Sequence, residues 1–284
     1  MGYETNIQSL DKGQILAECG PMRLIIAAWQ GQVSQRESCV LAAKEAFSLF
    51  ERVAGFRGIL SRGHHDLADA PGDSLAKKMM ASVLAVDNKL TPMAAVAGTI
   101  ADGVADFLFN RGMTKVIVNN GGDISIRTGS DQSVNIGIRP DLINSSMTEM
   151  ITLGDERSSW GVATSGLEGR SLTTGVASAA TIISGTASLA DAAATAIANA
   201  SFIEDNSVIQ KPAKALDPQT DIPKILVTTQ AGPFSEEKKD LALSGAMEKA
   251  TALINKGLIF GAYIVVDGKV RMTDFVRHRL TKLA

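Results

Sequence analysis

Short stretches in which apolar and polar residues alternate recur along this chain, and they predict strands. Residues 13–29 predict two paired strands, and residues 114–183 predict a mostly antiparallel sheet. Within that sheet, the turn at 129–132 predicts a local hairpin. Residues 262–272 predict a second hairpin, because the central Asp-Gly pair is a strong two-residue turn signal.

Apolar residues with helical spacing predict five helices between these strands. Ser34-Gln-Arg-Glu37 is a capping-box pattern and should open the first, while Thr91-Pro92 should open the third. The predicted helices cover residues 34–53, 73–85 and 91–109, a segment that begins at 188, and residues 235–256. The stretch 204–222 has no periodicity and is predicted to be a surface connection. Strands, then helices, then strands again predict the α+β fold class.

Composition limits the size and the partners of the protein. With 284 residues, 45% of them hydrophobic, the chain can form a single domain over 1–284, or two intimately packed halves of about 1–110 and 111–284. A net charge of −2 predicts no nucleic-acid partner. The small-residue-rich span 175–203 is interrupted by Asp191 and other polar residues, so no membrane span is predicted there.

The cysteines and the first residues bear on the cellular compartment. Cys19 and Cys39 fall in different predicted elements, and two buried thiols are expected in place of a disulfide. Residues 1–6 lack the basic start and apolar stretch of a secretory signal. The sequence therefore predicts a cytoplasmic protein.

The most informative segment is the Asn-Asn-Gly-Gly-Asp turn at 119–123, between two strand-like runs. Gly121 and Gly122 permit backbone torsions that other residues resist, and they leave room for a ligand against the main chain. Asn119 and Asp123 place an amide and a carboxylate at that opening. The alternative is a plain hairpin, since Asn and Gly are favoured turn residues in any case.

Three further motifs accompany this turn: Gly98-Thr-Ile-Ala-Asp-Gly103, Ala163-Thr-Ser-Gly166 and Ala190-Asp-Ala-Ala-Ala-Thr-Ala196. In their order and spacing, the four motifs resemble the ApbE family of flavin-binding and flavin-transferring proteins. The resemblance covers about residues 92 to 200, and the segment 92–101 is more similar to an uncharacterised, cytoplasmic branch of ApbE-like proteins. It implies an ApbE-like fold of mostly antiparallel sheets with packed helices.

The resemblance also implies a binding site for FAD or FMN with Mg²⁺. Asp191 and Thr195 lie four residues apart on a predicted helix and should share a face. In the family, the corresponding residues and a backbone carbonyl, here that of Ala101, hold Mg²⁺ beside the pyrophosphate. The alternative is that Ser188-Leu-Ala-Asp191 is a capping box and that Asp191 only caps its own helix. The expected ligand-binding residues are Asn119, Gly121, Gly122, Asp123, Thr164, Ser165 and Gly166.

Two departures from the family pattern bear on catalysis. Asp102 stands where the family has a lysine, and residues 168–175 lack the family's His-Ile-Ile-Asp-Pro segment. If that histidine assists phosphoester cleavage, its absence undercuts flavin transfer. The candidates for other acid–base groups are Asp102, His64 and His65. His64 and His65 are adjacent, and the alternative for this pair is an ordinary polar surface loop.

The leading hypothesis is a protein that binds a flavin nucleotide or related phosphorylated ligand with Mg²⁺. Three alternatives stay open: an active FAD:protein FMN transferase, a different small-molecule enzyme on the same scaffold, and a non-catalytic interaction protein. The expected partner is a small nucleotide-like molecule, with neither nucleic acid nor membrane. A protein acceptor and a homo-oligomer stay open.

Overall fold

A computed structural model of the protein describes residues 3–63, 71–138, 148–169 and 171–283. In these ranges the elements follow one another as β1 (Thr5–Ser9), β2 (Ile15–Cys19), β3 (Met22–Gln30), β4 (Val33–Ser34), α1 (Arg36–Leu60), α2 (Ser74–Val86), α3 (Val96–Phe109), β5 (Lys115–Asn120), β6 (Asp123–Thr128), β7 (Val134–Ile138), β8 (Glu149–Leu153), β9 (Ser159–Ser165), β10 (Ala179–Ser184), α4 (Ala187–Asn199), β11 (Ile209–Pro212), β12 (Leu226–Gln230), α5 (Glu236–Asn255), β13 (Gly261–Val266), β14 (Lys269–Met272), α6 (Asp274–Arg277) and β15 (Leu280–Lys282).

The largest element is a sheet of ten strands whose neighbours are all antiparallel. Its order is β1-β2-β3-β5-β6-β9-β10-β13-β14, and β4 pairs with β3. Strands β15, β8 and β7 form a second sheet, and β11 and β12 form a small third one. The predicted α+β class with mostly antiparallel sheets is confirmed. Strands from both sides of position 110 enter the large sheet, while the single-domain organisation stays a prediction.

Strand alternation divides the core between the two faces of the large sheet. On one face, Val116 and Val118 pack with helices α1 to α3, and Ala163 packs with α4 and α5. On the other face, Trp160 and Val162 pack with the second sheet and α6. A side chain on β5, β6 or β9 can therefore be assigned to the helical face or the opposite face from its position along the strand.

The helices predicted over residues 73–85 and 235–256 are confirmed as α2 and α5, and a side chain caps the start of each. Asp73 accepts hydrogen bonds from the N–H groups of Leu75 and Ala76 at the start of α2. Ser235 accepts from Lys238 N at the start of α5. The capping box at residues 34–37 is wrong, because Ser34 pairs with Trp29 in a strand and α1 begins at Arg36 without a side-chain cap. Helix α1 also runs on to Leu60.

The hairpin predicted at 129–132 is also wrong. Strand β6 already pairs with β5 and β9 along its two edges, so β7 pairs with β8 in a different sheet. The hairpin of β13 and β14 is confirmed, and Asp267 and Gly268 have φ values of 44° and 76°. The predicted surface connection at 204–222 contains β11 and a short 3₁₀ turn. Cys19 and Cys39 are buried free thiols, as expected.

The segment Pro92–Phe109, which includes α3, is long and apolar enough to cross a membrane, with a mean hydropathy of 1.3. More than half of it, 56%, is buried inside the protein. It packs against α1, α4, β5 and β6. The core helix of a folded protein shows the same length and composition, so the segment is weak evidence for a membrane span.

Candidate functional site

The Gly-Gly turn joins β5 to β6, two central strands of the large sheet, at one end of these strands. Asn120 pairs with Asp123, and the two glycines between them have φ values of 67° and 117°. Such positive φ values favour glycine. Gly122 N donates to Asn119 Oδ1 at 2.8 Å, which closes the turn. Because a Cβ at Gly122 would meet nothing within 4 Å, this side of the turn is open space.

Asn120 connects the turn to α3, a role that the sequence reasoning missed. Its Nδ2 donates to the carbonyl of Ala97 at 3.1 Å, and the residue is 7% exposed. The available signal was strand alternation, which places Asn120 on the same face as Val116 and Val118. The bond holds the open turn against the first turn of α3.

Asp123 lies on the helical face of β6, together with Ser125 and Arg127. These two residues hydrogen-bond to Asp102 and Asp106 of α3. Among the described residues, no side chain or backbone group hydrogen-bonds to the Asp123 carboxylate. Its burial, without such a partner, raises its pKa to about 7.

Asp191 projects from the second turn of α4 towards the same place. Its Oδ2 accepts a hydrogen bond from Gly98 N at 2.9 Å. Burial is the largest cause that raises the pKa of Asp191 well above its ordinary value, and the charge of Asp123 raises it further. The two carboxylates are therefore neighbours. We call the space between the Gly-Gly turn, the start of α3 and α4 the diacid hollow.

The structure excludes the capping-box interpretation of Asp191. The N-cap of α4 is Thr186, which accepts from Leu189 N at 3.3 Å, while Ser188 lies inside the helix. The Asp191 carboxylate reaches across to α3 and does not bond to the first turn of its own helix. Asp191 therefore faces α3 and the diacid hollow, and its role as a ligand of Mg²⁺ stays a prediction.

Asp102 has an environment typical of a structural charge. It is fully buried, and it accepts from Ala187 N at 3.0 Å and Ser188 N at 3.1 Å. Lys78 Nζ and Arg127 Nη2 lie 3.0 and 3.2 Å from its carboxylate. Although burial alone would raise the pKa of Asp102, these charges and hydrogen bonds hold it below its usual value. The hypothesis that Asp102 is an acid–base group has no support in these contacts.

The predicted pair Thr164 and Ser165 is divided between the two faces of β9. Ser165 lies on the helical face with Ala163, is 4% exposed, and its hydroxyl has no hydrogen-bond partner among the described residues. Thr164 points to the opposite face, where its hydroxyl lies 2.8 Å from that of Thr181. Next to them, Gly166 has a φ of 148°, and a Cβ there would meet Ser178 O at 2.5 Å. Of the two hydroxyls, only that of Ser165 is on the side of the diacid hollow.

The oxygen atoms near the hollow fit a hard cation such as Mg²⁺. Thr195 lies one turn beyond Asp191 on the same face of α4 and, like Asp123 and Asp191, is only partly buried. Two adjacent carboxylates and a hydroxyl are oxygen ligands, and their negative charges favour a divalent ion between them. Ala101 is fully buried inside α3, and the expected coordination of the ion by its carbonyl stays a prediction.

Two other observations limit the site. No group of three or more His, Cys, Asp or Glu side chains with metal-binding geometry occurs within the ranges that the structure describes. A cation in the hollow would therefore need further ligands from water or from phosphate.

His64 and His65, the other candidate acid–base groups, lie outside the described residues. The open recesses elsewhere include one of about 610 Å³ lined by Thr152, Gly154, Glu156, His278, Arg279, Leu280 and Thr281.

Comparison with known proteins gives curated relatives over part of the chain. A UPF0280 protein of Methanococcus maripaludis strain C7 is 35% identical over 135 residues, which cover 47% of this chain and 53% of that protein. A UPF0280 protein of Methanosarcina acetivorans is 43% identical over 110 residues, covering 38% and 42% of the two chains. The chain thus spans about half the length of the curated relatives it matches.

Solved structures and a family model match nearly the whole chain. The ApbE protein from Thermotoga maritima and the flavin transferase ApbE from Vibrio cholerae are each 13% identical, with TM-scores of 0.48, and each match covers 98% of this chain and 99% of the other. Likeness at this level does not extend to the sites or activities of those proteins. The family model described as AbpE bacteria matches residues 7–272. The chain therefore belongs to this bacterial family of ApbE-like proteins.

Proposed function

We propose that the protein binds a flavin nucleotide, or a related phosphorylated ligand, together with Mg²⁺ in the diacid hollow. The observation that supports this most directly is the convergence of Asp123 and Asp191: burial raises the pKa of Asp191 well above its ordinary value, and the charge of Asp123 raises it further. Two carboxylates without a cation destabilise a fold, so their presence side by side favours a role in binding.

The residues around the hollow fit such a ligand. Asp123, Asp191 and Thr195 would hold Mg²⁺, which supplies the positive charge that a diphosphate needs beside two carboxylates. The open side of Gly122 leaves room for a flat ring against the main chain. The buried hydroxyl of Ser165 has a free hydrogen to donate, and a ligand oxygen would satisfy it.

Transfer of FMN from FAD to a hydroxyl of a protein acceptor is a second candidate, and family membership is the observation that favours it. The residues weigh against it, because the family's histidine is missing from 168–175 and Asp102 is enclosed by ion pairs. Incubation with FAD, Mg²⁺ and candidate acceptor proteins would yield covalently fluorescent protein if the transfer occurs. Unlabelled acceptors would limit the function to binding.

The proposal is tested by identifying what the purified protein carries. Small molecules released from the wild type, from Asp123→Ala and from the control Asp274→Asn would be identified by mass spectrometry. Asp274 is a suitable control because its side chain is 79% exposed and pairs only with Arg277 among the described residues. We expect FAD or FMN from the wild type and the control, and neither from Asp123→Ala. A wild type that carries no nucleotide and binds no added FAD or FMN would contradict the proposal.

The cellular location and the oligomeric state of the protein are separate from this proposal. Location in the cytoplasm stays a prediction, and the buried free thiols of Cys19 and Cys39 are compatible with a reducing compartment. A homo-oligomer also stays open. Both can be examined with the same purified protein and with fractionated cells.

A further inference from the structure

Strand β1 forms one edge of the large sheet, and within the described residues it pairs with β2 alone. Leu10 N donates to Gln14 O at 2.9 Å and so continues the register of these two strands. Because bonded and non-bonded pairs alternate in an antiparallel ladder, every second residue of β1 bonds to β2. The main-chain groups of the other residues, Thr5, Ile7 and Ser9, therefore point away from the sheet.

This edge lacks the features that keep the edges of most sheets from pairing. The sequence of β1 is Thr-Asn-Ile-Gln-Ser, without charge or proline, and its register with β2 has no bulge. Charged side chains, prolines and bulges are common at edges because unpaired main-chain groups otherwise bind a further strand. At the opposite edge, β14 is only four residues long and contains Lys269 and Arg271. Of the two edges, β1 is therefore the one suited to pairing.

The sequence of β1 is complementary to itself about Ile7. In an antiparallel pair of two β1 strands centred there, Thr5 faces Ser9, Asn6 faces Gln8 and Ile7 faces its own copy. Hydroxyl thus meets hydroxyl, amide meets amide, and apolar meets apolar, and cross-strand pairs of this kind stabilise a sheet. The three outward residues of each strand then form about six main-chain hydrogen bonds. A two-fold axis at Ile7 therefore fits the whole strand.

The charges of helix α1 are complementary about the same axis. Arg36 lies at one end of β1, where its Nε donates to Ser9 Oγ at 3.1 Å. Glu51 lies at the other end, beside Cys19, which pairs with Thr5. Burial is the largest cause that raises the pKa of Cys19, and the charge of Glu51 raises it further. The axis places the exposed Arg36 of each copy on the side of the exposed Glu51 of the other.

We propose that the β1 edge is the interface of a two-fold homodimer, in which β1 pairs with β1 of a second copy. The two large sheets then continue into each other as one sheet. A second copy is the occupant because the residue pairs and the charges of this edge match those of the same edge turned about the axis. The inference concerns a surface outside the diacid hollow and does not rest on the proposed function.

The test measures the mass of the full chain by light scattering over a series of concentrations. The wild type should have twice the mass of one chain. Thr5→Pro removes an outward N–H and no bond to β2, a position where an edge strand tolerates proline. It should weaken the dimer about tenfold or more, since the axis removes two hydrogen bonds. Thr5→Val is the matched control, because it keeps the N–H and should leave the dimer intact.

Two further substitutions at the same residue test the register. Thr5→Lys places a cation opposite Ser9 of the second copy, beside its Arg36, and should weaken the dimer about fivefold. Thr5→Glu places an anion there and should not weaken it. A far-ultraviolet circular dichroism spectrum equal to that of the wild type shows that a monomeric variant is folded.

A wild type that is monomeric at every concentration would overturn the inference. A dimer that persists unchanged in Thr5→Pro and Thr5→Lys would also overturn it, because another surface would then join the two copies. If Thr5→Glu weakens the dimer as much as Thr5→Lys, Arg36 of the second copy does not lie opposite Thr5, and the proposed axis is wrong. None of these outcomes depends on nucleotide binding, so the proposed function is tested separately.

Discussion

Asp102, which belongs to α3, caps the start of α4, and Asp191, which belongs to α4, caps the start of α3. Asp102 of α3 accepts from the first N–H groups of α4, those of Ala187 and Ser188, while Asp191 of α4 accepts from Gly98 N in the first turn of α3. A carboxylate at a helix N-terminus is stabilised by the unpaired N–H groups and by the helix dipole. The two aspartates differ in their other neighbours. Asp102 has two cations, and Asp191 has a second carboxylate.

The first prediction follows from this difference. Asp102→Asn should lower the free energy of unfolding by about 3–5 kcal/mol, because it leaves Lys78 and Arg127 without their buried partner. Asp106→Asn is the matched control, since Asp106 is 48% exposed and, among the described residues, pairs with Arg127 alone, so its loss should cost about 1 kcal/mol or less. Urea unfolding at neutral pH measures both. A similar loss in the two variants would contradict the structural role of Asp102.

A second prediction concerns the crossing of α3 and α4. A Cβ at Gly98 would lie 2.2 Å from the carbonyl of Ala187, which is backbone and cannot turn aside. Gly98→Ala should therefore destabilise the protein by about 1–3 kcal/mol, as overpacking does. At Gly103, a Cβ would meet the end of the Leu49 side chain at 2.8 Å, and that side chain can move. Thermal unfolding should show Gly103→Ala close to the wild type. A Gly98→Ala protein as stable as Gly103→Ala would contradict this account of the crossing.

Local signals in the sequence predicted the elements better than their pairings. The Asp-Gly turn of the last hairpin and the helices α2 and α5 depend on residues that are near one another in the sequence, and these predictions are confirmed. The hairpin at 129–132 failed because β6 has partners on both edges, and those partners are distant along the chain. The capping box at Ser34 failed for a similar reason, because Ser34 pairs with Trp29 of β3 in a strand and does not cap α1.

In the candidate site, too, local features were predicted from the sequence and contacts between distant segments were not. The turn at 119–123 and the helix that carries Asp191 were predicted from motifs, and the structure brings Asp123 and Asp191 together. The contacts of Asp102 with Lys78 and α4 could not be predicted, because they join three helices that are separate in sequence. Strand alternation was available as a signal that Thr164 and Ser165 point to opposite faces, but no sequence feature showed which face carries the helices.

A third prediction compares the adjacent residues Thr164 and Ser165. Ser165→Ala should weaken nucleotide binding about fivefold, since a ligand oxygen would lose the donor that faces the diacid hollow. Thr164→Val should leave binding unchanged, because its hydroxyl pairs with Thr181 on the opposite face. Fluorescence titration with FAD in Mg²⁺ measures both affinities. If Thr164→Val is the more damaging substitution, the assignment of the faces is incorrect.

A fourth prediction concerns pH. The pKa of Asp123 is about 7 in the folded protein, above the ordinary 3.8, so the unfolded chain binds fewer protons between these values. The stability of the ligand-free protein should therefore fall as pH rises from about 4 to 7, and Asp123→Asn should remove this penalty. We expect the melting temperature of Asp123→Asn to exceed that of the wild type at pH 8 and to approach it at pH 5. A less stable Asp123→Asn at pH 8 would mean that the carboxylate stabilises the fold.

The convergence of the two carboxylates is best tested by calorimetric titration of FAD into the wild type and Asp191→Asn, with Mg²⁺ and with a chelator in its place. The Asn side chain can still accept from Gly98 N, so the cap on α3 is kept while the charge is removed. We predict that FAD binds the wild type in Mg²⁺, that the chelator abolishes binding, and that Asp191→Asn lowers the affinity about tenfold or more. FAD that binds equally well without Mg²⁺, or equally well to Asp191→Asn, would contradict the account.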